Sequence, residues 1–251
     1  MPRFKDVLGY CADHKLAYHV KTDADLDQVA ETVHHDGVLF LARERQEGAV
    51  DDVIAFADGL APGERAALVL LEDVKNPHNF GAILRVCAHF GVPFCLRAGL
   101  TPAISPAVLR TAEGGAEHTT VVDAVDGAVA LLRQLRARGF RILATSSHAT
   151  VDLGRGAVPD RSVVMFGSEG AGLSKPLLEL ADDVVAIPGS GALESLNVAC
   201  ASSIVLWELW KGSTASSVAA SPSRGPDVVP AKRPSPPHAP RHPRAGRRSR
   251  V

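Results

Sequence analysis

The sequence is short of the features that mark several classes of protein. Its four cysteines, Cys11, Cys87, Cys95 and Cys200, form no CxxC pair, which excludes a disulfide scaffold or zinc knuckle and points to a reducing interior. No His/Cys/Asp cluster stands at ligand spacing, His34-His35 being only a doublet, so no metal is expected. No apolar run approaches the ~18 residues of a membrane span. The opening Met1-Pro2-Arg3-Phe4-Lys5 lacks the apolar stretch of a secretory signal. The expectation is a cytoplasmic protein without membrane contact. Neither sign of charge dominates, since 27 basic and 28 acidic residues leave a net −1.

What the chain does have is core-forming material. Of its 251 residues 46% are hydrophobic and 22% charged, enough to bury a sizeable interior and to exclude disorder throughout. The near-neutral total conceals an asymmetry. From Lys211 to Val251 there are nine Lys/Arg against one acid, Asp227, leaving 18 basic and 27 acidic residues in 1–210. An acidic body with a basic tail is not a duplex-DNA clamp held by a uniform positive field. The tail, residues 213–251, is Ser/Pro-rich and then Pro/Arg-rich; it reads as disordered, with an RNA tether as its functional possibility.

Two rhythms divide the remainder. Residues 1–60 read as a small α/β unit: helical periodicity at Val7–His14 and Leu26–Val33, the second capped by Asp23 or Asp25, and short strands at Tyr18–Val20 and Val38–Ala42. A charged stretch, Arg43–Ala49, leads into a short helix ending near Gly59, and Ala61-Pro62-Gly63 punctuates a boundary. From there, strands are expected at Ala67–Leu71, Pro93–Leu96, Thr119–Val122, Arg141–Thr145, Val163–Gly167 and Val184–Ile187. Helices are expected around Phe80–Phe90, Pro106–Ala112, Ala128–Arg138, Lys175–Leu180 and Leu196–Trp210. That alternation implies an α/β domain with a mostly parallel sheet and helices on both faces.

Three stretches carry chemistry. In the first, Asn76-Pro77 fits an N-cap followed by N1, and Gly91 fits C′. On that helix His78, Gly81, Arg85 and His89 line one stripe, where an Arg beside a small Gly has room to meet a ligand. The second stretch, Gly167-Ser168-Glu169-Gly170-Ala171-Gly172-Leu173-Ser174, spaces its glycines like a P-loop but puts Leu173 where the phosphate-binding Lys belongs. This disfavours a P-loop nucleotide hydrolase; with Glu169 inside it, the loop suits a neutral or cationic ligand. In the third, Ile187-Pro188 leads through glycines to Ser195-Leu196-Asn197, with Ser195 as the expected helix cap. Ser195 lacks the GxSxG elbow of a Ser-His-Asp hydrolase. The helix that follows is apolar on more than one side and is expected to be buried, in part across a subunit interface.

In order and spacing, Asn79-Phe80-Gly81-Ala82-Ile83-Leu84-Arg85, Gly167 through Leu173, and Ile187-Pro188 through Ser195-Leu196-Asn197-Val198-Ala199 resemble the three motifs of the SpoU/TrmH family. These are S-adenosylmethionine-dependent RNA ribose 2′-O-methyltransferases acting on tRNA or rRNA. The resemblance covers about residues 65–210. It implies a C-terminal trefoil knot, which connectivity rules alone would exclude, in a methyltransferase domain at 64–212 that works as a homodimer. It places catalytic roles on Asn79, Arg85, Glu169, Ser195 and Asn197, and contacts to the methyl donor on Thr145, Gly167, Gly172, Ile187 and Leu196. Residues 1–60 resemble only the latter part of an L30e-like RNA-binding domain; its opening strand and helix are missing before Met1, so that either the true start lies upstream or the domain is naturally trimmed. Gly189 stands where many relatives follow Ile-Pro with Met. In the family this Arg is often cast as the general base, which a guanidinium performs only with strong local help. Arg85 is expected to engage the target nucleotide's phosphate beside the 2′-hydroxyl, with or without taking its proton. The rival reading from another class is a non-catalytic RNA-binding or ribosome-assembly factor on the same fold.

Overall fold

The computed structural model describes residues 4–35, 37–39, 46–154 and 159–214. Of the expected tail, residues 213–251, Ser213 and Thr214 instead end the last helix, and residues 215–251 lie outside the described residues, as do residues 40–42 of the strand expected at Val38–Ala42. Among the described residues seven strands form one sheet in which every pairing is parallel. They are β1 (Ala66–Glu72), β2 (Phe94–Ala98), β3 (Thr120–Asp123), β4 (Arg141–Thr145), β5 (Val151–Asp152), β6 (Arg161–Phe166) and β7 (Asp183–Ala186), in the order β3-β2-β1-β6-β4-β7-β5. The two-residue β5 is too short to show as an apolar run.

Helices cover both faces. On one, α3 (Val50–Gly59), α6 (Ala128–Ala137) and α7 (Lys175–Leu178) bury Val53, Ala57, Leu131, Leu132, Leu135 and Leu177 against Leu68, Leu70, Ile142, Val163 and Met165. On the other, α4 (Pro77–His89), α5 (Pro106–Ala112) and α8 (Val198–Thr214) bury Phe80, Ile83, Leu84, Val108, Val205 and Leu206 against Val69, Leu71, Val164 and Phe166. Strands covered on both faces read as continuous apolar runs, and each buried Leu, Ile or Phe contributes roughly 1.5–3 kcal/mol. All four cysteines are free; Cys87 and Cys95 meet inside the second layer, where the bond to Cys87 and burial push the Cys95 thiol up.

Upstream of the sheet, α1 (Lys5–Asp13) and α2 (Asp23–Ala30) have no buried residues. The cap of α2 corrects the expected one: Thr22 is the N-cap, and Asp25 closes a capping box with it, Thr22 holding that carboxyl below its ordinary range. Tyr18–Val20 forms no strand; all three residues are exposed, so the segment has no buried face to hold one. His35, half of the histidine doublet, is occupied by Asp27 at 2.9 Å and the Gly37 N–H at 3.0 Å. The last upstream helix, α3, shares the core of the sheet. Its lead-in docks on the outer edge, where Gly48 bridges to Val122 and Glu47 accepts from Arg97 at 2.8 Å. The turn at Ala61-Pro62-Gly63 is gripped from below, its Ala61 carbonyl accepting from Arg161 at 2.8 Å.

The first chemical stretch folds as expected: Asn76 caps α4 through the His78 N–H, Pro77 follows, and Gly91 takes φ +71° just past the end. The stripe on α4 differs. Gly81 is buried, and a Cβ there would come within 2.5 Å of the Val108 carbonyl oxygen. His78 meets Thr111 at 3.1 Å and Arg85 meets Glu113 at 3.0 Å. The stripe therefore packs along α5 and the turn after it, and the glycine admits a helix rather than a ligand.

Candidate functional site

Strands β1, β6, β4 and β7 are neighbours, and their carboxyl ends release the segments that carry the predicted site. The chain reverses its direction across the sheet here, the usual place for a ligand crevice in an open parallel sheet. After β1 comes the turn into α4 with Asn79; after β6, the loop 167–174; at the end of β4, Thr145; after β7, the loop 187–197.

Three predicted residues meet. The Asn79 Nδ2 donates to Glu169 Oε1 at 2.8 Å. The Asn197 Nδ2 donates to Asn79 Oδ1 at 3.1 Å and reaches Glu169 Oε1 at 3.4 Å. One residue from each of the three stretches thus enters a single hydrogen-bonded cluster. The Asn197 Oδ1 faces the other way and accepts from the Ala199 N–H at 2.9 Å, so Asn197, not Ser195, caps α8. The reason is geometric: the helix opens at Val198, and an N-cap must stand directly before the first helical residue.

The loop 167–174 folds back on itself. Ser168 and Gly172 exchange backbone hydrogen bonds of 3.1 and 3.0 Å, with Gly170 and Gly172 at positive φ. A Cβ on Gly167 would lie 2.2 Å from the Gly172 carbonyl carbon and 2.4 Å from the Leu173 nitrogen, so only glycine fits. The loop 187–197 is more open: Ile187 packs on the core, whereas Leu196 is 47% exposed. Across it, exposed His148 and Glu194 face each other at 3.5 Å. Neither loop contains a Lys or Arg, while each carries one carboxylate, Glu169 and Glu194.

The other predicted residues stand apart from this cluster. The Thr145 hydroxyl donates to the Met165 carbonyl at 2.9 Å, linking the ends of β4 and β6. Ser195 is exposed, with no side-chain hydrogen bond among the described residues. Arg85, on α4 beyond Asn79, is held by Glu113, and both side chains are about 60% exposed (58% and 62%). Sequence reading missed Glu72, at the end of β1, whose carboxylate accepts from both the N–H and the hydroxyl of Ser174 at 2.7 Å. Its position seven residues before Asn79 was the available signal.

A family model described as the SpoU rRNA Methylase family matches residues 66–207. An uncharacterized tRNA/rRNA methyltransferase, YfiF, of Escherichia coli O157:H7 is 35% identical over 210 residues, 84% of this chain and 59% of that protein. The 23S rRNA (guanosine-2′-O-)-methyltransferase RlmB of Vibrio vulnificus is 30% identical over 74% of each chain. Among solved structures, the SpoU methyltransferase AviRb of Streptomyces viridochromogenes in complex with AdoMet is 26% identical with a TM-score of 0.56, covering 60% of this chain and 59% of that one.

Proposed function

The chain belongs to the SpoU rRNA methylase family, and on that premise we propose that it transfers a methyl group from S-adenosylmethionine to a ribose 2′-hydroxyl of tRNA or rRNA. The observation that carries the proposal is the Asn79–Glu169–Asn197 cluster, which draws together three distant stretches that leave the carboxyl ends of β1, β6 and β7. The residues fit a sulfonium donor. Two loops free of basic side chains do not repel its positive charge, and a Cβ added at Gly170 or Gly189 would meet nothing within 4 Å. When bound, the donor supplies an electrophilic methyl group that needs no metal for transfer.

The chain's own residues supply binding and orientation. Backbone groups at Gly167, Gly172, Ile187 and Leu196, with the Thr145 strand end, hold the donor. Glu169 carries the only carboxylate of its loop, and Asn79 and Asn197 fix that carboxylate by donating to it. Ser195, exposed just before the Asn197 cap, turns its hydroxyl toward the target ribose. Arg85 takes a phosphate of the target nucleotide. Its pair with Glu113 is exposed on both sides, so it contributes little stability and an RNA phosphate can displace it. Fixing donor and hydroxyl in line converts a bimolecular encounter into an effectively unimolecular step, the main source of acceleration when no metal takes part.

The same premise carries a trefoil knot through the two loops, supported by the insertion of β6 between β1 and β4. It also carries a methyltransferase unit at 64–212 with α3 packed on it, and an L30e-like RNA-contacting unit in residues 1–60. A homodimer is supported by the apolar face that α8 leaves open beside α4. There Trp207 and Trp210 stack at 5.4 Å while 47% and 40% exposed, with Phe90 at 6.4 and 6.1 Å.

The test is calorimetry with S-adenosylmethionine followed by tritium-methyl transfer to bulk tRNA and rRNA. Binding with alkali-resistant label at a 2′-O-methyl nucleotide is expected. Donor binding and transfer both absent would leave the non-catalytic assembly factor. Arg85→Lys keeps the charge but loses the planar fork, and near-wild-type transfer by that variant would remove Arg85 from its role.

A further inference from the structure

The hydroxyl of Ser174 does not do what its position suggests. Ser174 is the N-cap of α7, yet its side chain makes no cap hydrogen bond. It is turned toward β1, 102 residues earlier, where Glu72 Oε1 accepts from the hydroxyl and Oε2 from the backbone N–H, both at 2.7 Å. A carboxylate that takes two donors from one residue fixes its orientation as well as its distance.

The register explains what is held. Leu71 pairs with Phe166 across β1 and β6, so Glu72 leaves the sheet beside Gly167, where the loop begins. Its side chain then grips Ser174, where the loop ends. Between those points Glu169 is tied to Asn79 on α4. One strand-turn-helix segment, residues 72–79, therefore clasps the second loop at its exit through Glu72 and at its middle through Asn79. Gly167 and Gly172 are packed backbone against backbone, so any drift of the exit is transmitted directly to the loop's entry.

We propose that Glu72 is a positioning residue for methyl transfer: its clasp on Ser174 sets the conformation in which the loop 167–174 receives the methyl donor. The proposal rests on the reading of that loop as the donor site. Its immediate consequence, the order of the loop, does not.

Glu72→Gln keeps the size but removes the charge, so the Ser174 N–H loses its charge-assisted acceptor and the hydroxyl, now accepting from the amide, keeps only a neutral bond. Ser174→Ala removes the hydroxyl bond alone. A hydrogen bond to a charged group, lost here, corresponds to a change of about tenfold in affinity. Calorimetry with S-adenosylmethionine should show Glu72→Gln about tenfold weaker, Ser174→Ala severalfold weaker, and the double variant no worse than Glu72→Gln. In transfer assays the KM for the donor should rise while kcat at saturating donor moves little, with partial recovery in Glu72→Asp. A role confined to stability would instead lower the active fraction, and so kcat, without moving that KM. Amide exchange read without donor should show Ser174 and Gly172 exchanging faster in Glu72→Gln. If the wild type binds donor and Glu72→Gln binds it equally, or if loop exchange is unchanged, the inference is overturned while the proposed function stands. If the wild type binds no donor, the proposed function falls, and the exchange experiment still decides the clasp.

Discussion

The two loops at the candidate site are held in opposite ways. The loop 167–174 closes on itself through Ser168 and Gly172, and β1 and α4 tie it through Glu72 and Asn79. The loop 187–197 is anchored at its ends, by Ile187 in the core and Asn197 at the cap of α8. Between those ends, among the described residues, the bonded backbone N–H is that of Ala192, to the Ser190 hydroxyl at 3.3 Å. The first is a preformed wall; the second is a flap hinged at both ends. Preorganisation belongs where electrostatics must be fixed before the reaction, and looseness where a ligand must enter and leave. Glu169 sits on the wall and Ser195 on the flap.

Substituting the glycines breaks this comparison most directly. In Gly167→Ala the new Cβ meets backbone atoms of Gly172 and Leu173 at 2.2–2.4 Å, and backbone cannot move aside as a side-chain tip can. Donor binding should fall beyond detection by calorimetry, with a Tm loss reflecting about 1–3 kcal/mol of overpacking. Gly189→Ala, with nothing within 4 Å of its Cβ, should leave Tm unchanged. Equal Tm losses would mean that the flap is as tightly built as the wall.

Asn197→Asp gives the next largest effect. Asp caps a helix as well as Asn, so α8 is retained. The variant loses the Nδ2 donor and places a second carboxylate at the position that lies 3.4 Å from Glu169. Transfer should drop about a hundredfold, the cost of displacing a reacting group by about an ångström, with little change in Tm. Unchanged transfer would show that the cluster only ties the loops together. Amide exchange sharpens the contrast more gently. Without donor, Ser168 and Gly172 should be protected while residues 188–196 exchange freely, and S-adenosylmethionine should slow the latter. Uniform protection without donor would erase the distinction.

Much of this was legible in the chain. The apolar runs located β1, β2, β3, β4, β6 and β7 because a strand buried on both faces has no polar alternation to obscure it. Asn79, Glu169 and Asn197 were legible as candidates, but not as bonded neighbours, because 90 and 118 residues separate Asn79 from its partners. Local signals misled where a residue's partner was distant. Ser174 looks like a cap and serves Glu72. Gly81 looks like room for a ligand and admits α5. Tyr18–Val20 has strand-forming residues, yet a strand needs a face to bury, and spacing cannot supply one.

The smallest expected effect lies at the opposite end of the sheet and tests whether the site end stands apart from it. Arg141 opens β4 and Asp183 opens β7, and the guanidinium donates to the carboxylate through both Nε and Nη2. These hydrogen bonds hold the Asp183 carboxyl below its ordinary range, partly opposed by burial. A carboxylate whose folded-state pKa is depressed contributes stability that is complete above its unfolded value, about 3.9, and is lost as pH falls through the folded value. Wild-type Tm should therefore decline over that acid range, and Asp183→Asn should decline less, the two curves converging once Asp183 is protonated in both states. The difference at neutral pH should be small and should shrink in high salt, because half of the Arg141 side chain is exposed. The pair lies a full strand length from Thr145 and Ile187, so donor affinity at neutral pH should be the same in Asp183→Asn as in the wild type. A parallel loss of donor affinity would mean that β7 transmits strain into the flap, and that the hinge at Ile187 is not the boundary between a rigid sheet and a yielding loop.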